Sequence, residues 1–165
     1  MAKKQDITVN GIHGRDEGKV YKIGEIDVWD KLTIGSLLAH ALIPARKIEV
    51  DGNVRMFDIP EVYQSLHGVT EYLRMSDYQA EDGALISPRR SLYASEKQDV
   101  INDARKQLIQ KSLKSFAFNG QDFQAFPQGY ETGAVEEKET IELLFFRILD
   151  LHSINFDPFQ AAEND

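Results

Sequence analysis

The chain contains no cysteine. Disulfides, thiol nucleophiles, and zinc or iron–sulfur sites of the cysteine type are therefore excluded. Basic residues are outnumbered: 19 Lys and Arg stand against 27 Asp and Glu, a formal charge of −8 with His neutral. A general nucleic-acid binder needs a cationic footprint to neutralise phosphates, and this balance argues against one. No apolar run reaches the roughly 20 residues that span a bilayer, so no membrane segment is predicted. The opening Met-Ala-Lys-Lys-Gln-Asp turns polar at once and lacks the apolar centre of a signal peptide. The expectation is a soluble, cytoplasmic protein. What is present is ordinary: 165 residues, 42% hydrophobic and 28% charged. That is enough for one domain with a real core, and too apolar for wholesale disorder.

The acidity is concentrated. Residues 1–24 hold five basic and three acidic side chains, whereas residues 131–165 hold two basic and nine acidic. Such a run reads either as a solvated face or as a surface that selects a basic partner.

Periodicity and turn chemistry divide the chain into elements. Ile7–Val9 before Asn10-Gly11, then a polar turn at Gly14–Gly18 and Val20–Ile23, predict an N-terminal β element. Ile34, Leu37, Leu38, Ala41 and Leu42 fall on one helical face, with Asp27 or Asp30 as N-cap and Pro44 as the stop. Lys47–Val50 and Val54–Phe57 flank the turn Asp51-Gly52-Asn53, whose Asp-Gly supplies the positive φ of a type I′ turn. Asp58-Ile59-Pro60 predicts a helix entrance, followed by Val62, Leu66, Val69 and Leu73 at helical spacing. Residues 76–91 read as a polar loop. Ser95 and Gln98 fit a capping box that opens a helix to about residue 115. Residues 115–123 form a third hairpin candidate around Asn119-Gly120, and Pro127–Gly133 a loop. A last helix runs from about Glu136 to His152, with an acidic first turn that suits the helix dipole. The fold class is thus α+β, mostly helical with small β-hairpins, including the N-terminal β element. Residues 1–165 read as a single domain, with the 76–91 loop as the one candidate point of subdivision.

Signatures of turnover are missing. The four histidines, His13, His40, His67 and His152, show no ligand spacing and no HExxH pattern, so no metal is expected. Gly14–Val20 has three residues between its glycines and Val20 after Lys19, where a phosphate loop needs four and a Ser or Thr. No GxSxG elbow occurs. Phe116, Phe118, Phe123 and Phe126 alternate as a base-stacking platform would, but with only Lys111 and Lys114 nearby a hairpin face packed on the core is preferred. No cofactor is implied. The strongest positive signal is the last helix. Ile141, Leu143–Phe146, Ile148, Leu149 and Leu151 cover more than one face, so it is either central to a core or covered by a partner. The candidate protein-binding residues are Ile141, Leu144, Phe145, Phe146, Ile148, Leu149, His152 and Phe156.

Four short motifs, in order, resemble the tail assembly chaperones of tailed bacteriophages. They are Gly18-Lys19-Val20-Tyr21-Lys22-Ile23-Gly24-Glu25-Ile26, the Leu/Ala-rich stretch Leu37–Leu42, the entrance Asp58-Ile59-Pro60, and Leu151-His152-Ser153-Ile154-Asn155-Phe156. The similarity covers residues 16–73 and 136–156. The resemblance implies a non-catalytic protein of the host cell cytoplasm. It would bind the long helical tape measure protein, recruit tail tube subunits and leave before the tail is complete. A homo-oligomer is compatible with this. A helical client exposes apolar stripes that need temporary burial. Competing expectations are a structural tail or baseplate component of the virion, an acidic inhibitor of a nucleic-acid enzyme, and an enzyme with a carboxylate site.

Overall fold

In the computed structural model, residues 7–10, 14–43, 46–50, 53–57, 65–79, 83–117, 122–125 and 134–153 are described. They form an α+β fold, mostly helical with small antiparallel β-hairpins and an N-terminal β element. The chain divides into two compact units, residues 1–27 with 105–165, and residues 28–104. The 76–91 segment, the point of subdivision suggested by sequence, lies inside the second of these.

The first unit is built on a four-stranded antiparallel sheet. β1 (Ile7–Asn10) pairs with β2 (Val20–Ile23), β2 with β7 (Leu113–Ala117), and β7 with β8 (Gln124–Ala125). Asn10 lies opposite Val20, so the connection runs through residues 11–19 and not through a two-residue turn at Asn10-Gly11. Tyr21 lies opposite Phe116, and both side chains are buried. α4 (Gln98–Ser112) leads directly into β7, so the helix ends sooner than the expected residue 115. A third hairpin pairs β7 with β8, Ser115 opposite Ala125, but its second strand is Gln124–Ala125 and not the expected Gln121–Phe123. Residues 118–121, including its Asn119-Gly120, lie outside the described residues. Ser112 donates its hydroxyl to the Gly24 carbonyl and accepts from the Gly24 N–H through its own carbonyl, at 2.8 Å. The remaining helix of this unit is α5 (Lys138–Leu151).

The second unit starts with α1 (Val28–Leu42), followed by the hairpin β3 (Arg46–Val50) and β4 (Asn53–Phe57). Val50 lies opposite Asn53, so Asn53, which the sequence pattern assigns to the turn, opens β4; Asp51 and Gly52 lie outside the described residues. The expected helix entrance at Asp58-Ile59-Pro60 lies outside the described residues. Within them α2 (Leu66–Arg74) starts after Ser65, whose Oγ accepts from the Gly68 N–H at 2.9 Å as an N-cap. α1 and α2 meet backbone to side: a Cβ on Gly35 would lie 2.7 Å from the Leu66 nitrogen and from the Ser65 carbonyl carbon. Only glycine permits that approach.

The polar 76–91 stretch is not a plain loop. It holds a short hairpin, β5 (Tyr78–Gln79) with β6 (Leu85–Ile86), before the one-turn helix α3 (Ser91–Ala94). Ser95 and Gln98 do not close a capping box. The Ser95 hydroxyl accepts from the Lys97 N–H and donates to the Ala41 carbonyl at 2.8 Å. The Gln98 amide donates to the carbonyls of Leu92 and Ser95. The apolar core of this unit includes Ile34, Leu38, Leu42, Val69, Leu73, Leu92 and Ile101.

Candidate functional site

The last helix was the sequence's first candidate for a partner surface. In α5, Leu144, Phe145, Ile148 and Leu149 have at most 1% of their surface exposed. They recur at i, i+1, i+4 and i+5, which makes one stripe facing the core of the first unit. The core reading therefore applies to these four. Phe145 also receives the Arg105 guanidinium 5.6 Å from its ring centroid and meets Phe146 edge-on at 5.4 Å. Ile141 and Phe146 are half-buried and form the shoulder of the stripe. Phe156 lies outside the described residues.

His152 serves the fold. Its Nε2 accepts from the Ile26 N–H at 3.0 Å, which leaves the proton on Nδ1, donated to the Ile148 carbonyl at 2.8 Å. The ring ties the end of α5 to the segment after β2. Its burial removes it from the candidate binding residues.

Two members of the acidic C-terminal run, Glu136 and Glu137, are tied to a buried carboxylate outside it. Asp16 is wholly buried in the turn before β2. It accepts from Lys19 Nζ at 2.9 Å and from the backbone N–H groups of Glu136 and Glu137, at 3.0 and 2.8 Å. Those amides stand just before α5, whose N-cap position makes no side-chain cap of its own. Asp16 thus caps the helix from elsewhere in the chain and meets the positive end of its dipole. Lys19 reaches on to Glu136 Oε2 at 2.9 Å, and Glu137 Oε1 accepts from the Arg15 N–H at 3.2 Å. Gly14, at φ +53°, makes room for that contact, because a Cβ there would stand 2.7 Å from Glu137 Oε1. Tyr21 donates its hydroxyl to the Ala134 carbonyl beside the cluster.

Protonation states follow from these contacts. Burial alone would raise the Asp16 carboxyl. The Thr140 hydroxyl beside it (short of full hydrogen-bond geometry), the Lys19 ammonium and the Glu137 and Glu136 amides outweigh burial and hold it below the ordinary carboxylate value. Burial would likewise lower Lys19, but Asp16 and Glu136 raise it above the ordinary lysine value. Burial, then the charges of Asp16 and Glu136, push the Tyr21 phenol well up. Each Asp16 oxygen already accepts from the chain, so this cluster is a clamp between the N-terminal turn and α5.

The surface features that sequence reasoning missed lie on α1. Val28, Trp29 and Leu32 are 59%, 76% and 50% exposed. Trp29 and Leu32 are i, i+3 neighbours and Val28 and Leu32 are i, i+4 neighbours, so the three share one face of the first turns. Scattered exposed apolar residues are normal, but a contiguous group that includes the only tryptophan of the chain is the kind that marks a contact surface. The signal was available: the helical pattern places Trp29 and Leu32 off the Ile34, Leu38, Leu42 stripe.

At its other end α1 borders a cleft of about 660 Å³. Its walls are His40–Ile43, Tyr72, Leu85–Ser87 and residues of the 90–97 segment. The C-terminal carbonyls of α1 are occupied there: Lys97 Nζ donates to the His40 carbonyl at 3.2 Å and Ser95 to that of Ala41.

Among the described residues no group of three or more His, Asp or Glu side chains converges to hold a metal ion, and no helix is long and apolar enough to cross a membrane. Of the four alternating phenylalanines, Phe116 is buried, as the core reading expects. Phe123 is partly exposed beneath Lys22, whose Nζ stands 4.1 Å from its ring centroid. Phe118 and Phe126 lie outside the described residues. No family model, curated protein or solved structure matches the chain.

Proposed function

We propose that this protein is a non-catalytic tail assembly chaperone of a tailed bacteriophage. It acts in the host cytoplasm, covers apolar stripes of the helical tape measure protein and helps to recruit tail tube subunits. The observation that carries this reading is the exposed Val28, Trp29, Leu32 face. An apolar helix face rimmed by polar side chains suits an amphipathic helical client, which docks through anchors spaced i, i+3 and i+4. The ordered motifs at residues 18–26, 37–42, 58–60 and 151–156 support the same assignment by resemblance. Placing the surface on α1 replaces the earlier expectation for α5, whose apolar stripe serves the core.

The test is co-expression with the tape measure protein encoded in the same genome, followed by affinity capture. A tryptophan anchor at an interface contributes about 2 kcal/mol or more, so Trp29→Ala should weaken capture roughly 30-fold. Leu32→Asp should abolish it. Capture unaffected by both variants contradicts the assignment of the surface. Stoichiometric presence of the protein in mature particles contradicts the chaperone role and favours a permanent tail component.

A further inference from the structure

We infer that the cleft at the C-terminal end of α1 is a second recognition site, for a protein segment that presents an apolar side chain beside an Asp or Glu carboxylate. Its volume of about 660 Å³ falls within the range of built ligand pockets. Leu42, Ile43 and Ile86 supply apolar wall, and Leu85, 71% exposed, stands open to an incoming side chain.

The charge around this wall fixes the chemistry of the occupant. The lining has Arg90 and Lys97 against the single carboxylate of Glu96. A helix C-terminus ordinarily repels an anion. Here the His40 and Ala41 carbonyls of α1 are taken by Lys97 and Ser95, which reduces that repulsion and places the Lys97 ammonium at the site. Arg90 is exposed, and its guanidinium makes no hydrogen bond or ion pair among the described residues. An exposed guanidinium fork suits a carboxylate in bidentate geometry. A locally cationic apolar cleft on a chain of charge −8 is a charge-selective feature. The site is separate from the Trp29 face. Trp29 and Leu42 are thirteen residue steps apart on α1, about 20 Å of rise, and the inference does not rest on the tail-assembly reading.

The experiment is a nuclear magnetic resonance titration of the full chain with two tripeptides, acetyl-Leu-Glu-Leu-amide and acetyl-Leu-Lys-Leu-amide. The Glu peptide should shift the amides of residues 40–43, 85–87 and 90–97 saturably, and the Lys peptide should bind about fivefold more weakly, as an exposed ion pair of about 1 kcal/mol predicts. Arg90→Glu should reverse the preference, and Arg90→Gln should abolish it while leaving the rest of the spectrum in place. Equal binding of both peptides, shifts outside the cleft, or a preference that survives both Arg90 variants overturns the proposal. Capture of the tape measure protein that is unaffected by Trp29→Ala, with cleft binding intact, would refute the tail-assembly surface and leave this site standing.

Discussion

Replacing Asp16 by Ala tests the clamp that joins the N-terminal turn to α5. The substitution removes a wholly buried carboxylate and strands the groups it serves. Lys19, 3% exposed, loses its buried partner and keeps Glu136, whose side chain is 36% exposed. The Glu136 and Glu137 N–H groups lose their acceptor. Breaking a buried ion pair from one side costs about 3–5 kcal/mol, because the remaining charge is uncompensated. Orphaned amides cost about 1–3 kcal/mol each when buried, but these terms overlap and are not summed. Against a total stability of about 5–15 kcal/mol this is a large loss. With a urea slope of about 2 kcal/mol per molar, the unfolding midpoint followed by circular dichroism at pH 7 should fall by about 2 M. The double variant Asp16→Ala with Lys19→Met removes the stranded ammonium as well. It should lose less than the two single variants together, by about 1–3 kcal/mol. A loss below about 1 kcal/mol for Asp16→Ala, or strict additivity in the double variant, refutes the clamp.

The same contacts set a pH dependence. Asp16 has a lower pKa folded than unfolded, so its contribution is present above about pH 4 and disappears as pH falls through the folded value. Lys19 is raised, so its contribution is complete below the unfolded value near 10.4 and is lost as pH rises through the folded one. Unfolding free energies measured across both limbs should decline on each side, and Asp16→Ala should flatten the acid limb. Gly35→Ala places a Cβ against the backbone of Ser65 and Leu66, and should destabilise by about 1–3 kcal/mol in thermal unfolding. Phe145→Ala should cost about 3–5 kcal/mol, whereas Phe146→Ser, on the half-buried shoulder, should cost well under half of that; equal losses contradict the observed facing of α5.

Local signals survive into the structure where they are strong and short-ranged. The stripe Ile34, Leu38, Leu42 gives α1, and the runs on either side of Asp51-Gly52 give the antiparallel pair β3 and β4. Strong apolarity in the last helix correctly marked it as special but could not distinguish a core stripe from a docking face. That choice depends on partners from distant parts of the sequence, such as Arg105 over Phe145 and Ile26 at His152. Pairing of β2 with β7 was hidden for the same reason, since no local pattern joins Tyr21 to Phe116. The hairpin at Tyr78–Ile86 was missed because its strands have two residues each and polar surroundings. Asp16 and Lys19 looked like surface charges in a turn; only their i, i+3 spacing hinted at a pair, and their remaining partners lie at residues 136 and 137. The acidic C-terminal run thus lost part of its meaning as a partner-selecting collar, because Glu136 and Glu137 hold the fold together.

The central claim is that the Trp29 face of α1 is a docking surface for a helical client. Trp29 is the only tryptophan, so its fluorescence reports on that face alone. In the free protein its emission should lie at the long wavelengths of a water-exposed indole. On forming a complex with the tape measure protein, measured with a tryptophan-free version of that partner, the emission should shift to the blue and become protected from soluble quenchers. A complex that forms with the Trp29 emission and quenching unchanged would contradict the account.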